Sequence, residues 1–152
     1  MFEFFRDYLA PSGSIHCVAI TPDAPAEDLN KVAGRYFGVD AQAAADWCAA
    51  QNSGGRNVYW TVNITTPGLN RKPAKSDIVG IRVAHVDIDP PRGDASWDKQ
   101  AALASLMARG APSLVIDSGN GLQALWWLTE GTSVEQIEQI KSIFTTCFTN
   151  IF

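Results

Sequence analysis

Phe2, Phe5 and Leu9 recur at helical spacing, so positions 2 to 9 predict a short amphipathic helix stopped at Pro11-Ser12-Gly13. SIHCVAI, 14 to 20, alternates, is rich in β-formers, and predicts a strand before the TPDAP turn. From 26 to about 51 the pattern is helical in two pieces, parted at Gly38. AQAAADWCAAQ is the alanine-rich piece, and NSGG ends it. NVYWTVNI, 57 to 64, predicts a strand, and a polar loop with Pro67, Gly68, Asn70 and Pro73 follows. IVGIRVAHVDID, 78 to 89, predicts a long strand that stops at Pro90-Pro91-Arg92-Gly93. Ala101, Leu103, Leu106 and Met107 mark a helix over about 96 to 108. SLVID, 113 to 117, and LQALWWL, 122 to 128, predict a hairpin across Ser118-Gly119-Asn120-Gly121. Thr132 or Ser133 caps a last helix with Val134, Ile137, Ile140, Ile143 and Phe144 on one face.

The second half therefore runs strand, strand, helix, strand, strand, helix. That order predicts an α+β fold: an open antiparallel sheet of the RNA-recognition-like kind, helices packed on one face, with an N-terminal α/β extension. The expected organisation is one domain over 1 to 152. Positions 1 to 55 form its N-terminal helical and strand part, and 56 to 152 its sheet-bearing half.

Composition narrows the class. At 152 residues, 46% apolar and 18% charged, the chain can bury a real core. No apolar run reaches the length of a membrane span, and MFEFFRDYLA lacks the basic start and cleavage site of a signal peptide. Cys17, Cys48 and Cys147 are scattered and form no CxxC pair, which fits reduced thiols in the cytoplasm and argues against a zinc site. A net charge of -4 argues against a broad basic face for nucleic acid. Positive charge is instead local: Arg71, Lys72 and Lys75, then Arg82.

Two stretches carry candidate chemistry. In VAHVDIDPP, Asp87 and Asp89 are spaced i and i+2, so on a strand both leave one face while Val86 and Ile88 leave the other. Two carboxylates held so close repel unless a cation joins them, and Mg²⁺ or Mn²⁺ takes such oxygen ligands and leaves room for substrate phosphates. The bland alternative is a pair of polar residues at a strand end, Asp89 favouring the turn into Pro90. His85 shares that face and either orients an Asp, contacts substrate or is structural. In the second stretch, Ser118, Gly119, Asn120 and Gly121 make either an ordinary hairpin turn or a backbone cradle for phosphates, with Gln123 projecting from the next strand. Asp117 serves as a further acidic ligand or as a turn stabiliser. One of Trp126 and Trp127 fills the core while the other takes the open sheet face. Arg71, Lys72 and Lys75 are a solvated loop or hold phosphates, and Tyr59 and Trp60 are core aromatics or a stacking surface.

Together NVYWTVN, LNRKPAKSDI, IRVAHVDIDP and PSLVIDSGNGLQALWWL resemble the primase domain of phage and plasmid replication proteins. These are RepB-primase-like members of the archaeo-eukaryotic primase or primase-polymerase superfamily, and the resemblance covers about 56 to 138. It implies primer synthesis from nucleoside triphosphates on a single-stranded DNA template, with two metal ions on an RNA-recognition-like sheet and a replicative helicase domain or protein as partner. By that resemblance Asp87 and Asp89 hold the metals, while Ser118, Gly119, Gly121 and Gln123 touch the incoming triphosphate. Gln123 stands where the superfamily usually has His, and it donates a hydrogen bond but carries no charge. The family's third carboxylate lies past the helix that begins near Ser133, and 139 to 152 contains no acidic residue. The apolar, aromatic end FTTCFTNIF adds to the expectation that the natural domain continues beyond it. Two alternatives stand beside the primase: a non-catalytic module that binds nucleic acid or a replication partner, and a metal-dependent nuclease or other nucleotidyltransferase using the same Asp pair.

Overall fold

IHCVAI is apolar at almost every position because it becomes the central strand of a sheet. In the computed structural model, which describes residues 1–25, 27–90 and 96–128, β1 (Ile15–Ile20) lies between β2 (Val32–Gly38) and β3 (Asn57–Trp60), antiparallel to both. The fold is mixed α+β, and the chain separates into two compact units, Met1–Arg82 and Val83–Phe152. No helix among the described residues is long and apolar enough to cross a membrane.

In the first unit the helical face expected over 2 to 9 is present. It begins as α1 (Phe2–Phe4), widens into a π-type turn over Phe5–Leu9 and tightens over Ala10–Ser12, ending at Gly13 with φ +72°. Glycine suits this exit because a Cβ disfavours the left-handed region. The alanine-rich segment forms α2 (Ala41–Ser53), capped by the Asp40 carboxylate, which accepts from the Ala43 amide at 2.9 Å. Phe5, Leu9, Ala41, Ala44 and Cys48 close with Ile15 and Cys17 into one buried cluster. Burial of Phe5 and Leu9 contributes about 1.5–3 kcal/mol each. The neighbouring Cys48 thiol, together with burial, pushes the Cys17 thiol up.

Three expectations are corrected here. The segment before Gly38 is not helical: Val32–Gly38 is β2, paired with β1 from Ile20↔Val32 to Ile15↔Gly38. VAGRYFG contains two glycines, which disfavour a helix, so pairing with β1 outweighs the helical periodicity of the surrounding segment. The strand expected over 57 to 64 stops at Trp60, and a separate β4 (Ile64–Thr65) pairs with β5 (Ile78–Gly80). The long strand expected over 78 to 89 is accordingly two strands, β5 and β6 (Val83–Ile88), in different sheets.

Arg82 explains that break. Its guanidinium is buried and gathers the first unit's loose carbonyls: Nε donates to Val62 O at 2.7 Å, Nη1 to Ser14 O at 2.9 Å and Leu9 O at 3.3 Å, and Nη2 to Thr61 O at 3.1 Å. Nη1 also donates to Ser12 Oγ, and the Arg82 amide reaches Asn63 Oδ1 at 3.3 Å. These bonds turn residue 82 away from a continuous ladder. Burial pushes its pKa down to about 10, so it remains charged at neutral pH.

In the second unit β8 (Leu122–Trp127) runs between β6 and β7 (Leu114–Asp117), antiparallel to both, and α3 (Lys99–Arg109) covers one face. The hairpin expected from the SGNG turn is therefore present. Ala102 and Leu106 of α3 meet Ile88, Leu122 and Ala124, with Val86, Val115 and Trp126 at the margin. Trp126 thus takes the helix-covered face. The helix expected from Thr132 or Ser133 onward and Cys147 lie outside the described residues.

Arg82→Met should lower stability by on the order of 3 kcal/mol in chemical denaturation, since several buried carbonyls lose their donor together. An unchanged midpoint would contradict the anchoring role. A second test is pH. His16 is fully buried, with Nδ1 3.1 Å from Thr61 Oγ1, and burial holds its pKa below the usual histidine value. The unfolded chain therefore takes the proton more readily. The stability due to neutral His16 is complete above the unfolded pKa, about 6.5, and declines as pH falls through it toward the lower folded value. Thermal unfolding between pH 7.5 and 5.5 should show a fall in Tm that is smaller in His16→Gln.

Candidate functional site

β6 ends in the sequence that places carboxylates, and β8 starts in the sequence that makes a turn. Their antiparallel register sets Ile88 opposite Leu122 and Asp87 opposite Gln123. Because side chains alternate, Ile88, Leu122, Val86 and Ala124 point to α3, which leaves Asp87, Gln123 and His85 on the other face. Directly opposed residues have Cβ atoms about 5 Å apart, so Asp87 and Gln123 are neighbours. Asp87, Asp89 and His85 are exposed. Neither carboxylate has a hydrogen bond or ion pair among the described residues.

Gly121 brings the turn against the strand end. A Cβ at this position would lie 2.4 Å from Ile88 O and 2.6 Å from Asp89 Oδ1, closer than any side chain tolerates. Glycine is required for the approach of the Asp89 carboxylate to the turn, a constraint separate from turn conformation. Gly119 has the conformational role, at φ +91°.

The turn is braced from inside. Ser118 N donates to Gly121 O at 3.1 Å, closing the hairpin. Gly121 N donates to Ser118 Oγ at 3.0 Å, and Gly119 N donates to Asp117 Oδ1 at 2.8 Å. Two of the amides considered for an anion are thus engaged within the turn. The Asn120 amide and the Ser118 hydroxyl proton have no partner among the described residues. Asp117 is a turn stabiliser: its Oδ1 also accepts from Lys99 Nζ at 2.7 Å. The Lys99 ammonium, then the Gly119 amide, holds the Asp117 carboxyl below the usual carboxylate range.

Lys99 was not singled out by sequence, yet it supplies the cation at this turn. Nζ donates to Gly119 O at 2.8 Å as well as to Asp117. It is the first residue of α3, and the Asp98 carboxylate caps that helix by accepting from Gln100 N and Ala101 N. The only sequence signal was an Asp-Lys pair at a helix start.

The basic segment belongs to the first unit, as do Tyr59 and Trp60. Arg71 is committed: Nη1 and Nη2 donate to the two Asp77 oxygens at 2.6 and 2.8 Å. Lys72 and Lys75 are exposed and have no ion-pair partner among the described residues. Trp60 packs edge-on to Phe4 at 4.9 Å between ring centres, a core role, while Tyr59 is 50% exposed.

No family model, no curated protein and no solved structure matches the chain. The functional case therefore rests on geometry and donor chemistry. Asp87 and Asp89 offer the hard, exposed oxygen donors that a divalent ion accepts, with water or phosphate completing the shell. Among the described residues no third His, Cys, Asp or Glu joins them.

Gly121→Ala should destabilise the chain by about 1–3 kcal/mol, because its Cβ has to displace the Ile88 carbonyl and Asp89. Gly110→Ala, which meets nothing within 4 Å, should stay within about 0.5 kcal/mol of wild type. Equal effects in urea denaturation would contradict the close approach.

Proposed function

We propose that the second unit carries the nucleotide-handling centre of a primase or primase-polymerase domain of the phage and plasmid replication type. The observation that carries this reading is the β6–β8 register, which puts Asp87 beside Gln123 and Asp89 against Gly121. Asp87 and Asp89 hold the metal. Mg²⁺ or Mn²⁺, when bound there, neutralises charge on the transferring phosphoryl group and lowers the pKa of the attacking hydroxyl.

The turn handles the triphosphate. The Ser118 hydroxyl and the Asn120 amide donate to phosphate oxygens, and Gln123 adds a neutral donor from the neighbouring strand. Lys99 adds a further N–H donor, since an ammonium has three and two are spent on Asp117 and Gly119, while its charge is offset by Asp117. His85, two residues before Asp87 on the same face, contacts the substrate or the DNA strand. In the reaction a 3′-hydroxyl on a single-stranded DNA template attacks the α-phosphorus of a nucleoside triphosphate, a phosphodiester bond forms, and pyrophosphate leaves.

Titration with Mn²⁺ and a fluorescent nucleoside triphosphate should give metal-dependent binding that weakens at least tenfold, about 1.4 kcal/mol, in Asp87→Asn/Asp89→Asn. Binding that ignores the double substitution would overturn the proposal. Incubation with template, triphosphates and Mn²⁺ should extend new strands. Template degradation would point instead to a nuclease on the same carboxylates, and binding without turnover to a module that only holds nucleotide.

A further inference from the structure

The sheet of the first unit has two unlike faces. Ile15 and Cys17 of β1, with Val58 and Trp60 of β3, pack towards the helical cluster. On the opposite face the register sets Val18 between Gly34 and Tyr59, with Ile20 beside them. The loop from 66 to 77 comes down on part of this face. A Cβ on Gly34 would sit 2.3 Å from Arg71 C and O and 2.8 Å from Lys72 N, so only glycine at position 34 lets the loop lie on the sheet.

What remains is a groove of about 440 Å³, with Val18, Ile20, Tyr59 and Ile78 as its apolar walls and Lys72 and Lys75 as its charged lining. That volume is of the size that takes a small ligand or a nucleotide. No carboxylate lines it. The one acid in the loop segment NRKPAKSD is Asp77, already neutralised by the bidentate pair with Arg71 and accepting from Ala74 N at 2.6 Å. The Arg71–Asp77 clamp and Pro73 therefore hold the two lysines in place with their charge uncompensated. In a chain of net charge -4, a positive groove beside a half-exposed aromatic ring is a local exception.

We propose that this groove holds single-stranded nucleic acid, one base resting against Tyr59 and Val18 and the adjoining phosphates on Lys72 and Lys75. An aromatic ring flanked by aliphatics stacks with any base, and two lysines neutralise backbone charge without reading sequence. The site lies wholly in the first unit and requires neither Asp87 nor Asp89. It therefore stands or falls separately from the nucleotide centre.

The test uses the whole chain and a fluorescently labelled short oligothymidine, read by anisotropy in EDTA so that no metal site contributes. Wild type should bind. Tyr59→Ala should weaken binding about tenfold, while Tyr59→Phe should restore it. Lys72→Ala/Lys75→Ala should weaken binding and flatten the dependence of log K on log salt by about 1.4, the value for two phosphate contacts on a single strand. Asp87→Asn/Asp89→Asn should bind as wild type does. Circular dichroism checks that the variants fold, which the exposure of all three side chains favours. Equal binding by Tyr59→Ala, or an unchanged salt slope in the double lysine variant, would overturn the proposal. So would competition by free thymidine triphosphate at the same concentration as the oligonucleotide, which would assign the groove to a mononucleotide.

Discussion

The pairing of Val83–Ile88 with Leu122–Trp127 is the constraint on which the candidate site depends. A strand pair has only two faces, and one of these is taken by the contact of Ile88, Leu122 and Ala124 with α3. Once that apolar face is buried, the register cannot slip by one residue without turning it to water. Asp87 and Gln123 are then committed to the same face, the one turned away from α3. Gly121 extends the pairing past the last ladder residue, which is how Asp89 comes against a turn it would otherwise miss. The chemistry of the site is thus a by-product of core packing on the opposite side of the sheet.

The same division of labour shows in how charges are used. Asp117 and Asp77 are neutralised by Lys99 and Arg71, and each pair stiffens a turn or loop. Arg82 is spent on backbone carbonyls. What these pairings leave over is more telling than what they use. Asp87 and Asp89 in one unit, and Lys72 and Lys75 in the other, are among the described residues without ionic partners, and each set stands at a turn or a groove. Exposed charges with no intramolecular role are the groups available to ligands of opposite sign, here a cation and a polyanion.

Much of this was legible in the sequence where local signals agree. The alanine-rich helix, the hairpin across Ser118–Gly121 and the one-sided placement of Asp87 and Asp89 each follow from period, turn chemistry or spacing alone. The failures share a different cause. Val32–Gly38 is a strand because β1, the strand before it in the chain, offers it a partner, and no periodicity within the segment records that. IVGIRVAHVDID has the composition of one long strand, but residue 82 is captured by carbonyls as far away as Leu9. Lys99 reaches Asp117 across 18 positions, and Arg71 reads as a phosphate ligand until Asp77 is seen to hold it. In each case the deciding interaction is tertiary.

Paramagnetic broadening by Mn²⁺ of the backbone amide resonances tests the central claim most directly. If Asp87, Asp89 and the turn form one centre, substoichiometric Mn²⁺ should broaden the amides of residues 87 to 89 and of 119 to 123 together. Added nucleoside triphosphate should then shift Asn120 most within the turn. Broadening confined to residues 87 to 89, or spread evenly over the acidic surface, would contradict it.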